Sequence, residues 1–190
     1  MSAAVSLLDQ LQARGAWLDG HFALSSGRHS DRFVQKFRIL EDPQLLEPLA
    51  RDIAAHFAAL RPTVVLSAAV GGIILGYEVA RALELKAIFV EKEAGVPVLR
   101  RNFDLTPADR VLVVEDVVTT GGSVREVLNV IRAHGAQAVG VGTIVRRAAV
   151  TFEVETFALL DLPIESYAPA DCPLCAHHVP LSDPGSRRSS

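Results

Sequence analysis

Residues 111–123 read VLVVEDVVTTGGS. Val111, Leu112, Val113 and Val114 run straight into Glu115 and Asp116. Val117 and Val118 follow, then Thr119, Thr120, Gly121, Gly122 and Ser123, and a helical pattern begins at Val124. An unbroken apolar run bounded by turn residues is how a strand buried on both faces of a parallel sheet reads. A small-residue loop that opens a helix directly after such a strand is a phosphate cradle at the carboxyl edge of the sheet. Gly121 and Gly122 accept positive φ and let a ligand approach the backbone closely. Three hydroxyls and a row of N–H groups surround them, and the helix over residues 124–134 aims its positive dipole end at the same spot. The two carboxylates would repel a phosphate at contact distance. They belong beside hydroxyls, a Mg²⁺ ion or a cationic centre that develops during reaction. A sugar phosphate meets both demands. The alternative is a tight connection next to two solvated acids. The P-loop pattern G-x-x-x-x-G-K-[ST] and the dinucleotide pattern G-x-G-x-x-G are both absent.

Outward from this stretch, strands and helices alternate. The periodicity predicts strands at 63–68, 87–90, 111–114, 139–145 and 156–160, with helices at 73–83 and 124–134 between them. This is an α/β chain with a doubly wound parallel sheet. Residues 43–60 form a helix with Asp42 as its cap and Pro43 at the first position. Before it lie an amphipathic helix at 4–14, a short strand and turn at 17–26 and a strand at 33–37. This amino-terminal portion breaks the alternation, and a small hood of about residues 1–40 plus part of the carboxyl-terminal segment is expected. Residues 1–183 then form one domain, and the Gly/Ser/Arg-rich tail, 184–190, is expected to be disordered. Residues 91–107 are charged, contain Gly95 and Pro97, and read as an irregular mobile lid.

Composition limits the function classes. The chain has 190 residues, a net charge of −3 and 49% hydrophobic residues, with a mean hydropathy of +0.28. That suits a large core and excludes a disordered chain. The charge gives no footprint for nucleic acid. No apolar run reaches the roughly 18 residues a membrane helix needs, and no secretory signal is visible. A cytoplasmic location is expected. The two cysteines form a C-x-x-C, Cys172-Pro173-Leu174-Cys175, with His177 and His178 close behind. A structural metal site would need two further ligands. A Cys/His metal site, a redox pair and a plain structural tail all remain open.

The 111–123 string resembles the phosphoribosyl-diphosphate signature of the type I phosphoribosyltransferases: an apolar strand, two acids, two variable residues, then T-[TG]-G-[GS]-[ST]. Residues 21–30, HFALSSGRHS, are similar to the F-x-L-x-S-G-x-x-S segment of the orotate phosphoribosyltransferases. Residues 68–73, AAVGGI, look like their diphosphate-binding turn. Arg147 falls where that family places an orotate-binding arginine. The resemblance spans about residues 7–168.

The resemblance implies transfer of a phosphoribosyl group from phosphoribosyl diphosphate to orotate, giving orotidine 5′-monophosphate and diphosphate in pyrimidine biosynthesis. Glu115 and Asp116 would hold the ribose hydroxyls and favour the developing cation. Thr119, Thr120, Gly121, Gly122 and Ser123 would hold the 5′-phosphate, and Val117 and Val118 would belong to the same phosphoribosyl-diphosphate site. Val70, Gly71 and Gly72 would present N–H groups to the diphosphate. Thr119, Arg147, Ser26 and Gly27 would contact orotate; whether Arg146 or Arg147 points inward depends on strand register. Mg²⁺ would be bound mainly through the substrate, with no protein ligand assigned. A homodimer with the lid shared between subunits is implied. The lid departs from the family pattern R-K-x-x-K-x-H-G: Glu91 replaces an arginine, no lysine follows Lys92 and no histidine is present. Ser25 and Gly71 stand where many members carry lysine. Lys92 is the first choice for the catalytic cation and Arg101 the second, against solvated loop charges as the plain reading. Two other functions are weighed: a purine or xanthine phosphoribosyltransferase, and a non-catalytic sensor of phosphoribosyl diphosphate.

Overall fold

The computed structural model describes residues 6–24 and 26–184. Ser25 and the tail beyond residue 184 lie outside the described residues. In chain order the elements are α1 (Leu7–Ala13), β1 (Trp17–Ala23), β2 (His29–Val34), α2 (Phe37–Leu40), α3 (Pro43–Phe57), β3 (Val64–Ala68), α4 (Gly71–Leu83), β4 (Lys86–Glu93), β5 (Val96–Leu99), β6 (Arg110–Val118), α5 (Gly122–Ala133), β7 (Gln137–Arg146), β8 (Thr156–Asp161) and α6 (Pro173–Ala176). The described residues divide into two compact units, one of residues 40–162 and one of those described within 1–39 and 163–184.

The larger unit carries a six-stranded sheet in the order β5-β4-β3-β6-β7-β8. Strand β5 is antiparallel to β4, and the remaining pairs are parallel. On one face, Val64, Leu66, Val111 and Val113 of β3 and β6 pack with Val124, Val127 and Ile131 of α5. On the other face, glycines let the helices come close. A Cβ at Gly76 in α4 would meet Ser67 Oγ at 3.1 Å, and one at Gly140 in β7 would meet the Phe57 ring of α3 at 2.3 Å. Gly140→Ala therefore has no room without displacing a fully buried ring. It should destabilise the protein by about 1–3 kcal/mol, read as a fall in the urea midpoint; an unchanged midpoint would show that α3 gives way freely.

Helix α3 starts where the sequence predicts, because Asp42 Oδ1 accepts from the N–H groups of Gln44 and Leu45 at 3.0 and 3.2 Å and Pro43 needs no donor there. Three expectations differ. Strand β6 does not stop at Val114 but continues to Val118, so Glu115 and Asp116 lie inside the strand. Residues 91–99 are not irregular. They form a β4–β5 hairpin that turns on Ala94 and Gly95, both at positive φ, the pairing a primed two-residue turn requires. Pro97 is tolerated because β5 is the edge strand. The strand expected at 33–37 lies earlier: β2 ends at Val34, so only Phe33 and Val34 of that stretch are in it, and one helical turn, α2, occupies 37–40.

The smaller unit is built on the antiparallel β1–β2 hairpin. The carboxyl-terminal segment clips to both of its strands. Ala23 N–H donates to Ser182 O and Ser182 N–H to His21 O, while His29 and Tyr167 exchange backbone hydrogen bonds at 2.9 and 2.8 Å. Cys172 and Cys175 lie against His21 and His29. His177 and His178, the neighbours in sequence, are exposed and outside this group. No helix among the described residues is long and apolar enough to cross a membrane.

Candidate active site

Sheet order creates the crevice. From β3 the chain passes through α4 to β4 on one side; from β6 it passes through α5 to β7 on the other. The loops after β3 and β6 thus leave neighbouring parallel strands in opposite directions. That is a topological switch point, the position at which open α/β sheets bind ligands beyond the carboxyl ends of their strands. Both loops singled out in the sequence, 69–72 and 119–123, sit there.

Each loop opens a helix without a side-chain cap. Val70 precedes α4 and Gly121 precedes α5, and neither start has a capping side-chain hydrogen bond. At α4 the Ile73 N–H turns back to Val70 O at 3.2 Å; the N–H groups ahead of it, and those opening α5, receive no side-chain cap and are left for another acceptor. Gly121 has φ +77°, and a Cβ there would meet Val150 Cγ1 at 2.8 Å and the Phe152 ring at 2.9 Å. Only glycine satisfies both the backbone and the packing. Thr119, Thr120, Gly122 and Ser123 are exposed, as an anion cradle must be. Arg125 braces the loop from below: its Nη1 donates to Thr120 O at 2.7 Å, and its guanidinium lies 5.5 Å from the Phe152 ring centroid. Its role is not legible in the sequence, where it reads as an exposed helical cation.

The acids form the wall between the loops. Glu115 is 8% and Asp116 2% exposed. Asp116 Oδ1 accepts from Val117 N–H at 2.6 Å, and Thr143 Oγ1 donates to the Asp116 carbonyl at 3.2 Å. A Cβ at Gly72 would approach Val114 O at 3.3 Å and Glu115 Oε1 at 3.5 Å, so the start of α4 lies directly against the acids. Gly71 and Gly72 are buried, and Val70 is exposed beyond them. The structure thus brings Val70, Gly71, Gly72, Glu115, Asp116 and the 117–123 backbone to one edge.

Strand register separates the two arginines. In the β7–β8 pairing Arg146 stands opposite Asp161. Its Nη2 donates to Asp161 Oδ2 at 2.8 Å, and its Nε donates to the other oxygen in a fork. That carboxylate is held below its usual range by the Arg146 hydrogen bond. Arg147 follows the last strand residue, with its N–H donating to Val118 O at 2.8 Å. Its Nε is buried and has no hydrogen-bond partner among the described residues. Burial pulls its pKa below the ordinary arginine value, yet a guanidinium keeps its proton. A half-buried cation with an unsatisfied donor calls for an anion.

The lid cations are engaged elsewhere. Lys92 Nζ donates to Glu126 Oε1 of α5 at 2.8 Å. Arg101 grips Glu91 through two bonds of 3.0 and 3.2 Å, and Arg100 pairs with Glu93 at 3.4 Å. Ser26 and Gly27 belong to the smaller unit, in the turn between β1 and β2, where Gly27 has φ +75°.

Comparisons with known proteins agree with this geometry. The phosphoribosyl transferase domain family matches residues 38–165. An orotate phosphoribosyltransferase of Pelotomaculum thermopropionicum is 51% identical over 179 residues, covering 93% of this chain and 94% of the relative. Another, of Caldanaerobacter subterraneus subsp. tengcongensis, is 47% identical over 171 residues, 89% of this chain and 90% of its own. The crystal structure of orotate phosphoribosyltransferase from Aeropyrum pernix aligns with a TM-score of 0.70 at 27% identity, covering 82% of this chain and 93% of that one. Matched along nearly its whole length, and with the acid pair and glycine loop at the switch point of its sheet, this chain belongs to the type I phosphoribosyltransferases and, within them, to the orotate phosphoribosyltransferase family.

Proposed function

We infer that this chain transfers the phosphoribosyl group from phosphoribosyl diphosphate to orotate, forming orotidine 5′-monophosphate and diphosphate. One observation carries the choice of acceptor: Arg147 is half-buried and its Nε lacks a partner, while the adjacent Arg146 is committed to Asp161. Orotate carries a carboxylate that a guanidinium can hold in a charge-assisted fork, and a purine does not. Near full-length relatives that are orotate phosphoribosyltransferases support the same choice.

In this reading the bond from ribose C1 to the diphosphate oxygen breaks, and the electron pair leaves with diphosphate. A ring nitrogen of orotate releases its proton to solvent and forms the new bond to C1. Positive charge grows on the ribose and negative charge on the leaving group. Glu115 and Asp116 hold the ribose hydroxyls and favour the cation. The amides and hydroxyls of 119–123 hold the 5′-phosphate, and the amides at Val70, Gly71 and Gly72 face the diphosphate. Thr119 and Arg147 position orotate. Mg²⁺, held chiefly by substrate oxygens, would neutralise the leaving group when bound, and the hard carboxylate oxygens of Glu115 and Asp116 fit that ion.

Lys92 serves as the lid cation. Its tie to Glu126 is an exposed pair, 57% and 38% accessible at the two side chains. Such a pair contributes about 0.2–1 kcal/mol, so diphosphate oxygens can replace it. Arg101 is held by two bonds and is less free to move. Lys92→Ala should lower kcat/KM for phosphoribosyl diphosphate by roughly tenfold or more, the loss of one charge-assisted contact. Arg101→Ala should do less, and the reverse order in steady-state kinetics would transfer the role to Arg101.

The reading extends to a cytoplasmic homodimer whose β4–β5 hairpin reaches the neighbouring subunit's site. Mixing Lys92→Ala with Asp116→Asn protein, each impaired alone, should then restore part of the activity through hybrid dimers; no recovery would place the hairpin over its own subunit's site. The whole proposal is tested by a turnover screen with phosphoribosyl diphosphate, Mg²⁺ and a panel of free bases. Orotate should be the preferred acceptor. Preference for a purine, or turnover of no base, would overturn it.

A further inference from the structure

We propose that the smaller unit holds a structural zinc ion on His21, His29, Cys172 and Cys175. These residues come from three places in the chain: strand β1, strand β2, and the C-x-x-C that opens α6. Their ligand atoms all lie within 4.8 Å of one another. His21 Nε2 is 3.1 Å from His29 Nδ1, 3.5 Å from Cys172 Sγ and 3.7 Å from Cys175 Sγ, and Cys175 Sγ is 3.2 Å from His29 Nδ1. Zinc bonds of about 2.3 Å to sulfur and about 2.0–2.1 Å to nitrogen place tetrahedral ligand atoms about 3.3–3.8 Å apart. These four spacings, 3.1–3.7 Å, are close to four of the six edges of that tetrahedron. Two nitrogens and two sulfurs are also the donor set that zinc selects over hard cations.

The second shell is in place. His21 Nδ1 lies 2.8 Å from the Val179 carbonyl. A carbonyl only accepts, so Nδ1 carries the proton and the Nε2 lone pair faces the cluster. This arrangement fixes the tautomer and the ring orientation of a metal-bound histidine. Three of the four residues are buried: His21 at 3%, His29 at 9% and Cys172 at 3% exposure. Buried groups of this kind need partners, and here the partners converge on one point.

The smaller unit also has a physical need for the ion. Among the described residues of 163–184, Cys172 is the only buried one; Val179 and Leu181 are 36% and 49% exposed. This segment joins the hairpin by backbone hydrogen bonds and contributes almost no apolar core. Small units of this kind are held by metals or disulfides, and zinc binding then adds directly to folding free energy. The ion would tie the carboxyl-terminal segment to both strands and close the base of the turn that carries Ser26 and Gly27.

The test is metal analysis of the full chain purified without chelator. About one zinc per chain is expected, released when a mercurial titrates the thiols. Cys175→Ala and His29→Ala should each lose it. Should these variants fail to fold, wild-type protein refolded with Co²⁺ gives the same answer: thiolate-to-cobalt charge-transfer and intense tetrahedral ligand-field absorption are expected. Zinc-free protein that refolds unchanged in a chelator would overturn the proposal. So would ready oxidation of Cys172 and Cys175 to a disulfide in metal-replete protein, or full zinc retained in the folded Cys175→Ala variant. None of these readouts depends on turnover, so failure of the transfer reaction and failure of the metal site are distinguishable.

Discussion

Asp116→Asn lowers turnover by about 10²–10³-fold, the usual cost of removing one preorganised electrostatic group from a transition state, while the fold stays within about 1 kcal/mol of wild type. The two effects separate for a physical reason. Asparagine keeps the shape and one acceptor oxygen, so the 2.6 Å bond from Val117 N–H survives, as does the Thr143 contact to the residue 116 carbonyl. What disappears is a negative charge at a position only 2% exposed. A charge in such a place costs stability in the free protein and is useful when a positive ribose forms beside it. The measurement pairs kcat with the urea midpoint on the same preparation. Wild-type kcat would remove Asp116 from the site, and a large loss of stability would reassign it as a structural residue.

Arg147→Ala should raise the orotate KM by roughly 10- to 150-fold, equivalent to the 1.5–3 kcal/mol of a charge-assisted hydrogen bond. The KM for phosphoribosyl diphosphate should change little. The split is the informative quantity. Arg147 follows β7, and its Nε has no protein partner among the described residues, so its removal costs no hydrogen bond at that atom. Arg146→Ala is the matched control: it breaks the fork to Asp161, which joins β7 to β8, and should affect stability more than orotate binding. Equal changes in both KM values for Arg147→Ala would show a general electrostatic effect on the crevice and no recognition of the acceptor.

The parts of the fold that were legible share a cause. Strand β6 and helix α5 show in the sequence because a strand buried on both faces must be apolar throughout, and because Gly121 meets a backbone demand that no other residue can. Helix α3 shows because its cap and its proline are local signals. The β4–β5 hairpin was not legible, since its turn places Ala94, in addition to Gly95, at positive φ where Asn or Asp would announce it. Strand β2 was misplaced because His29 and Ser30, adjacent and both buried, do not alternate as a half-exposed strand should. The choice between Arg146 and Arg147 needed the register against β8, a tertiary fact. The sequence offers His177 and His178 as the nearby partners of Cys172 and Cys175, but a histidine at the cluster is 146 residues away in sequence. Only the clipping of the carboxyl-terminal segment onto the hairpin brings them together.

In the proposed reaction the switch point between β3 and β6 holds an activated ribose phosphate, gripped by the acid pair and the glycine loop. Calorimetric titration of the protein with phosphoribosyl diphosphate in the presence of Mg²⁺ tests it most directly. Saturable binding at one site per chain is expected in the wild type, and sharply weakened binding in Gly121→Ala, whose Cβ would press on Val150 and Phe152. Absence of binding to the wild-type protein, or equal affinity in the two proteins, would contradict it.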